Sequence, residues 1–212
     1  MNTNLTEIIF LLDRSGSMGE LEGDTIGGFN GFVKQQSEIG ETRITTVLFD
    51  DQYELLHNGM KASDVALTEK EYFVRGMTAL LDAVGKTIID VGKRMESLDE
   101  SERPGKVIFV ITTDGQENSS REFTYDRIKA MIEHQKAKYN WEFIFMGANI
   151  DVASESSLLG IDPRMSMSYK ATSAGTVAMW SGVGALTSGL RNPGVTAKSV
   201  GLPFFLLKKR KK

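Results

Sequence analysis

An open α/β sheet, mainly parallel with one antiparallel edge strand and with helices on both faces, is the fold class this sequence predicts. Three observations carry it. Apolar runs alternate with stretches of helical periodicity along the chain, the pattern of linked β–α–β units. The central runs are apolar at successive positions, as strands covered on both faces must be. One pair of strands is separated only by Asp50 and Asp51, which reads as a hairpin and gives the antiparallel edge.

Each element has its own warrant. Residues 5–13, LTEIIFLLD, form a buried strand that stops at an acid. Residues 20–40 place Leu21, Ile26, Phe29, Phe32 and Val33 near helical spacing, although Gly27, Gly28 and Gly31 weaken that helix. Residues 43–49 and 52–58 read as the hairpin strands, and 61–76 carry mixed polar signals. From Thr78 to residue 98, Leu80, Leu81, Val84, Ile88, Val91 and Met95 form one apolar stripe, the mark of an amphipathic helix. Residues 106–115, KVIFVITTDG, repeat the buried strand ending in an acid. A helix is expected over 120–140, with Phe123, Ile128, Met131 and Ile132 inward. A third buried strand follows at 141–149, a short helix at 151–160 and a last strand at 165–170. A final helix is expected over 173–192, with Val177, Trp180, Val183 and Leu186 toward the core.

The chain has 212 residues, 41% of them hydrophobic and 25% charged, which suits one packed domain. We assign residues 1–192 to it and 193–212 to a C-terminal tail with a basic end. Net charge is −3, and Lys208 to Lys212 carry +5, so residues 1–207 carry −8. An acidic body argues against nucleic-acid binding by the domain itself. The basic end has three open readings: a solvated tail, a contact for an anionic surface, or docking of the preceding Phe204 to Leu207 on the domain or a partner. The absence of cysteine removes disulfides and thiolate chemistry and suits a reducing cytoplasm. No run approaches the roughly 18 apolar residues of a membrane span, and MNTNLTE lacks the basic start of a secretory signal.

Asp13 and Asp114 close two of the buried strands, and in an open α/β sheet ligands bind at the carboxyl ends of strands. Asp13 is followed by Ser15 and Ser17 at alternate positions. Thr78 precedes the main amphipathic helix. Two carboxylates at one sheet edge repel unless a positive charge lies between them. Oxygen donors without imidazole or thiolate suit a hard divalent cation, Mg²⁺, Mn²⁺ or Ca²⁺. Each piece alone reads equally well as a polar turn; their combination points to a metal site. Asp50 and Asp51 read as a hairpin turn, with extension of the metal edge as the alternative, and Glu117 and Asn118 as candidates for the rim.

Asp13-Arg14-Ser15-Gly16-Ser17, Thr78 in GMTALLDA and Asp114 in TTDGQEN resemble the three parts of the metal-ion-dependent adhesion site (MIDAS) of von Willebrand factor A (vWA) domains, in order and spacing. The likeness covers the chain to about residue 190 and is nearest to small stand-alone bacterial and phage members. It implies that Asp13, Ser15, Ser17, Thr78 and Asp114 form the metal site. Ser15 and Ser17 would bind the ion through their hydroxyls, and Thr78 directly or through water. Asp13 and Asp114 would act mostly through bridging waters, leaving a position for a partner's Asp or Glu. The function it implies is metal-dependent protein binding. The alternatives are a subunit of a larger AAA+ ATPase, chelatase-like or stress-resistance machine, and a metal-dependent hydrolase. His57 and His134 lie in ordinary amphipathic contexts, no G-x-S-x-G elbow surrounds Ser15, and no phosphate loop is present, so catalysis is not expected. Arg14 is expected to point away from the metal.

Overall fold

The computed structural model describes residues 1–192 and 194–196. The expected tail from residue 193, with Lys208 to Lys212, lies outside the described residues apart from 194–196. There the Val195 carbonyl accepts a hydrogen bond from Lys106 Nζ at 3.1 Å.

A six-stranded sheet forms the centre, in the order β3-β2-β1-β4-β5-β6. The strands are β1 (Asn2–Asp13), β2 (Thr42–Phe49), β3 (Tyr53–Lys61), β4 (Pro104–Thr113), β5 (Glu142–Gly147) and β6 (Ser166–Ser168). All neighbours run parallel except β2 and β3, so the antiparallel edge falls where the sequence put it. Among the described residues, five α-helices connect or follow them: α1 (Glu22–Ile39), α2 (Leu80–Ser97), α3 (Tyr125–Tyr139), α4 (Val152–Leu158) and α5 (Ser173–Leu190). From β1 the chain crosses to β2 on one side, then returns to β4 on the other. The strand order therefore reverses between β1 and β4, whose tips form a crevice of the kind that takes ligands in such sheets.

Right-handed crossovers in opposite directions put the connecting helices on opposite faces. Phe10 of β1 faces α1, and its ring meets Phe29 at 5.1 Å and Phe32 at 5.0 Å between centroids. Trp180 of α5 completes this cluster, 5.9 Å from Phe10. Glu7, three residues earlier on the other face, pairs with Arg94 of α2 and accepts a hydrogen bond from Thr45 Oγ1 at 2.7 Å. That partnership permits a carboxylate to lie buried in the strand.

Two local expectations need correction. α3 begins at Tyr125, not near residue 120. The Asp82 carboxylate of α2 accepts the N–H groups of Arg121, Glu122 and Phe123 at 2.9 to 3.0 Å, which holds this segment out of the helix; Thr124 then caps it, accepting from the Arg127 N–H. Phe123 is still buried, but from this loop and against Gly85. Val177 is 58% exposed: α5 buries Thr176, Met179, Trp180, Val183, Leu186, Thr187 and Leu190, and Val177 falls off that stripe. Met95, at the end of its stripe, and Met131, in the middle of α3, are half-buried.

Gly27 and Gly28 make a direct test of the packing. A Cβ on Gly28 would lie 2.0 Å from the Trp180 ring, whereas one on Gly27 would meet nothing within 4 Å. Gly28→Ala is expected to lower the urea-unfolding free energy by about 1–3 kcal/mol through overpacking. Gly27→Ala is expected to raise it by up to about 1 kcal/mol through helix propensity. Equal effects would refute this account of the α1–α5 contact.

Candidate metal site at the β1–β4 tips

Parallel register pairs Leu12 with Thr112, which brings the last residues of β1 and β4 side by side. Asp13 is 0% and Asp114 1% exposed. Asp13 Oδ1 accepts the Ser15 N–H at 2.7 Å, so the chain turns tightly as it leaves the strand. Asp13 Oδ2 accepts from Thr113 Oγ1 at 2.6 Å. Below the site, Tyr72 donates its hydroxyl to the Asp13 carbonyl at 2.6 Å. Ser15 Oγ and Ser17 Oγ lie 3.2 Å apart. Ser17 Oγ donates to Asp114 Oδ1 at 2.5 Å, which joins the loop after β1 to the tip of β4.

Thr78 reaches the same place from a third segment. A Cβ on Gly115 would stand 3.2 Å from Ser17 Oγ and 3.3 Å from Thr78 Oγ1, so both hydroxyls converge above that glycine. Thr78 is held by its backbone. Its N–H donates to Asn118 Oδ1 at 2.9 Å, and its carbonyl accepts from the N–H groups of Asn118 and Ser119. Glu117 accepts from the Leu81 N–H at 3.0 Å, placing a carboxylate at the start of α2, where unpaired N–H groups favour negative charge. The five predicted site residues thus gather at one edge. Glu117 and Asn118 shape its rim by holding the Thr78 segment. Thr113 and Tyr72 also belong to the site. Thr113 offered no separate signal within its apolar strand, and Tyr72 lies in the stretch whose local pattern was mixed.

Burial governs the electrostatics. Asp13 is pushed up to about 6, chiefly by withdrawal from water and slightly by the charge of Asp114; its hydrogen bonds from Thr113 and Ser15 oppose this. Burial also raises Asp114, against the pull of the Ser17 hydroxyl. Among the described residues, Asp114 Oδ2 is buried and has no hydrogen-bond partner. Two carboxylates that resist ionisation, one oxygen without a partner and three converging hydroxyls fit a divalent cation as the missing neighbour. The donor set is all oxygen, which suits a hard ion.

Asp50 does not extend this edge. It is fully buried and bound to Arg14 and Arg75. Arg14 engages Asp50 and Glu54 rather than Asp13 or Asp114, in keeping with its expected direction. His57 lies on β3 and His134 on α3, both outside the ligand set.

With the fold and site in place, the chain can be compared with known proteins. No protein-family profile matches it, nor does any curated sequence. Solved structures do. Proximal thread matrix protein 1 of the mussel byssus is 14% identical with a TM-score of 0.61, over 88% of this chain and 47% of that one. The manganese-loaded TRAP protein of Plasmodium vivax is 17% identical with a TM-score of 0.56, over 84% and 73%. A von Willebrand factor type A protein of Catenulispora acidiphila is 13% identical with a TM-score of 0.57, over 88% and 43%. The chain spans about half the length of the mussel and Catenulispora proteins. The mussel protein has also been solved with a zinc-occupied MIDAS motif. The class of structure is an α/β sheet with its ligand crevice at the strand tips. More particularly, this chain has the von Willebrand factor A fold.

The raised Asp13 gives a signed prediction. Between its ordinary value of 3.8 and about 6, the folded state binds more protons than the unfolded one. The contribution of Asp13 to stability therefore falls as pH rises through that window. Its ionisation in the fold costs about 3 kcal/mol at neutral pH. In EDTA at pH 7, Asp13→Asn is expected to match or exceed the native chain in urea stability, and its advantage should vanish near pH 4. An Asp13→Asn chain clearly less stable at pH 7 would refute this reading of the carboxylate.

Proposed function

We propose that this chain is a divalent-metal-dependent protein-binding module, not an enzyme, whose site takes Mg²⁺ as its resident ion. The observation that carries the reading is the gathering of Asp13, Ser15, Ser17, Thr78 and Asp114 at one sheet edge, with the Ser17 and Thr78 hydroxyls over Gly115 and, among the described residues, Asp114 Oδ2 buried and unpartnered. Ser15, Ser17 and Thr78 would hold the ion through neutral hydroxyls, and Asp13 and Asp114 would balance its charge. A bound cation would supply the positive charge that accepts a partner's Asp or Glu.

The rim supports a macromolecular partner. Phe73 and Met77, on the segment leading to Thr78, are 44% and 53% exposed. Large apolar side chains beside a charged focus are the usual composition of a protein-binding patch. No histidine belongs to the site, so a general base for hydrolysis would have to come from elsewhere. Among the described residues, no helix is long and apolar enough to cross a membrane. The lack of cysteine supports a cytoplasmic location.

The test couples ion binding to capture. The native chain is expected to bind Mn²⁺ in an electron paramagnetic resonance titration and to retain proteins on a column in Mg²⁺ that EDTA releases. Asp13→Ala and Asp114→Ala should each weaken Mn²⁺ binding at least about tenfold, or 1.4 kcal/mol, and abolish the EDTA-sensitive capture. Met77→Ala should weaken capture while leaving Mn²⁺ affinity intact. If both Asp variants keep Mn²⁺ binding and capture, the reading is wrong. An ATPase among the released proteins would favour the machine-subunit alternative.

A further inference from the structure

Arg14 stands between two site residues and, among the described residues, is the largest side chain wholly withdrawn from solvent. Its Nε donates to Asp50 Oδ2 at 3.1 Å, and its Nη1 to Glu54 Oε2 at 2.8 Å and to the Glu71 carbonyl at 3.4 Å. A second guanidinium meets the same oxygen: Arg75 Nε donates to Asp50 Oδ2 at 2.6 Å, while its Nη2 donates to Gln52 Oε1 at 3.1 Å. The Phe73 ring lies against both, with its centroid 5.7 Å from the Arg14 guanidinium carbon and 5.5 Å from that of Arg75. Asp50 Oδ1 accepts the Gln52 N–H at 2.6 Å. Asp50 is held ionised: burial alone would raise it, but the Arg75 hydrogen bond, the Gln52 N–H and the two cations together lower it.

Backbone bonds converge on the same point. The Arg75 N–H donates to the Arg14 carbonyl at 2.8 Å, the Gly16 N–H to the Gly76 carbonyl at 3.3 Å, and the Ala79 N–H to the Asp50 carbonyl at 2.8 Å. Gly76 turns at a φ of +66°, and a Cβ there would come within 2.4 Å of Asp51 Oδ1. Residues 71–79, which include Thr78, are thus fastened to the tips of β1 and β2 immediately beside Ser15 and Ser17.

We propose that Asp50, clamped between Arg14 and Arg75, is the positioning residue of the metal edge: it latches the segment carrying Thr78 to the loop carrying Ser15 and Ser17. The proposal rests on the metal-binding reading above. The ligand set comes from three separate segments, and any population in which Thr78 is displaced lowers apparent affinity by the fraction lost. Exposed ion pairs contribute little to such order. This one does more, because Asp50 and Arg14 are out of water and removing a partner leaves a buried charge uncompensated.

The test uses the full chain and Mn²⁺ alone as probe. The Arg75 side chain is 37% exposed, so Arg75→Gln can be made without opening the core. It is expected to weaken Mn²⁺ affinity about 5- to 20-fold and to speed amide hydrogen exchange in residues 71–79, with exchange in the middle of β1 and β4 unchanged. Arg75→Lys keeps the charge but not the fork and should fall between native and Gln. Asp50→Asn should lose more than Arg75→Gln; if it fails to fold, the two Arg75 variants carry the test. Arg164→Gln, which removes an exposed ion pair with Asp162, should change neither readout. Unchanged Mn²⁺ affinity or unchanged exchange over 71–79 in Arg75→Gln overturns the latch. If Asp13→Ala and Asp114→Ala lose Mn²⁺ while Arg75→Gln keeps it, the latch alone is wrong. If the native chain takes up no Mn²⁺, the metal reading and the latch fall together.

Discussion

Asp13 and Asp114 leave water at the tips of adjacent strands, and the surrounding structure is organised around that arrangement. Two buried carboxylates in neighbouring positions repel each other and lose hydration at once. The fold offsets part of this with local donors: the Ser15 N–H and the Thr113 and Ser17 hydroxyls. It leaves one oxygen of Asp114 without any. Such an edge is stable enough to fold and still short of positive charge, which is the condition a cation-binding site needs before its ion arrives.

The sheet supplies the placement. Strand order reverses between β1 and β4, so the loops from their tips diverge and leave a crevice. Three chain segments then have to meet there, and backbone bonds fasten two of them while the Ser17 hydroxyl ties the loop after β1 to Asp114. Thr78 is bracketed by Asn118 and Ser119, the Ser15–Ser17 loop is bonded to Gly76, and Ala79 is bonded to Asp50. A second buried charge cluster, Arg14 with Asp50 and Arg75, lies beside the first. Unlike the Asp13–Asp114 pair it contains its own cations.

Much of this was legible in the residues. Continuous apolar runs marked β1, β4 and β5 because burial on both faces demands apolar residues throughout. The acids ending two of them stood out because a charge at that position has no packing role. Misreadings arose where a distant group overrode local pattern. Residues 121–123 have helical neighbours, yet the Asp82 carboxylate takes their N–H groups and α3 starts later. Val177 matches an apolar spacing on α5, but the helix turns its Thr176 and Trp180 edge inward because Gly28 leaves room there for the indole ring.

By itself the sequence determined the open α/β class and the antiparallel edge, and it singled out five oxygen-bearing residues that the fold brings to one edge, because strand burial, helical periodicity and motif spacing are local properties. Only the tertiary structure decided that Asp50 is a buried ion partner rather than a simple turn residue, that Arg14 is sequestered with it, that Thr113 and Tyr72 support Asp13, and that Asp114 keeps one oxygen unpaired. Each of these depends on which polar groups meet after the chain has closed and water has been excluded. Hydrogen-bond satisfaction and the cost of burying charge are settled between residues far apart in sequence.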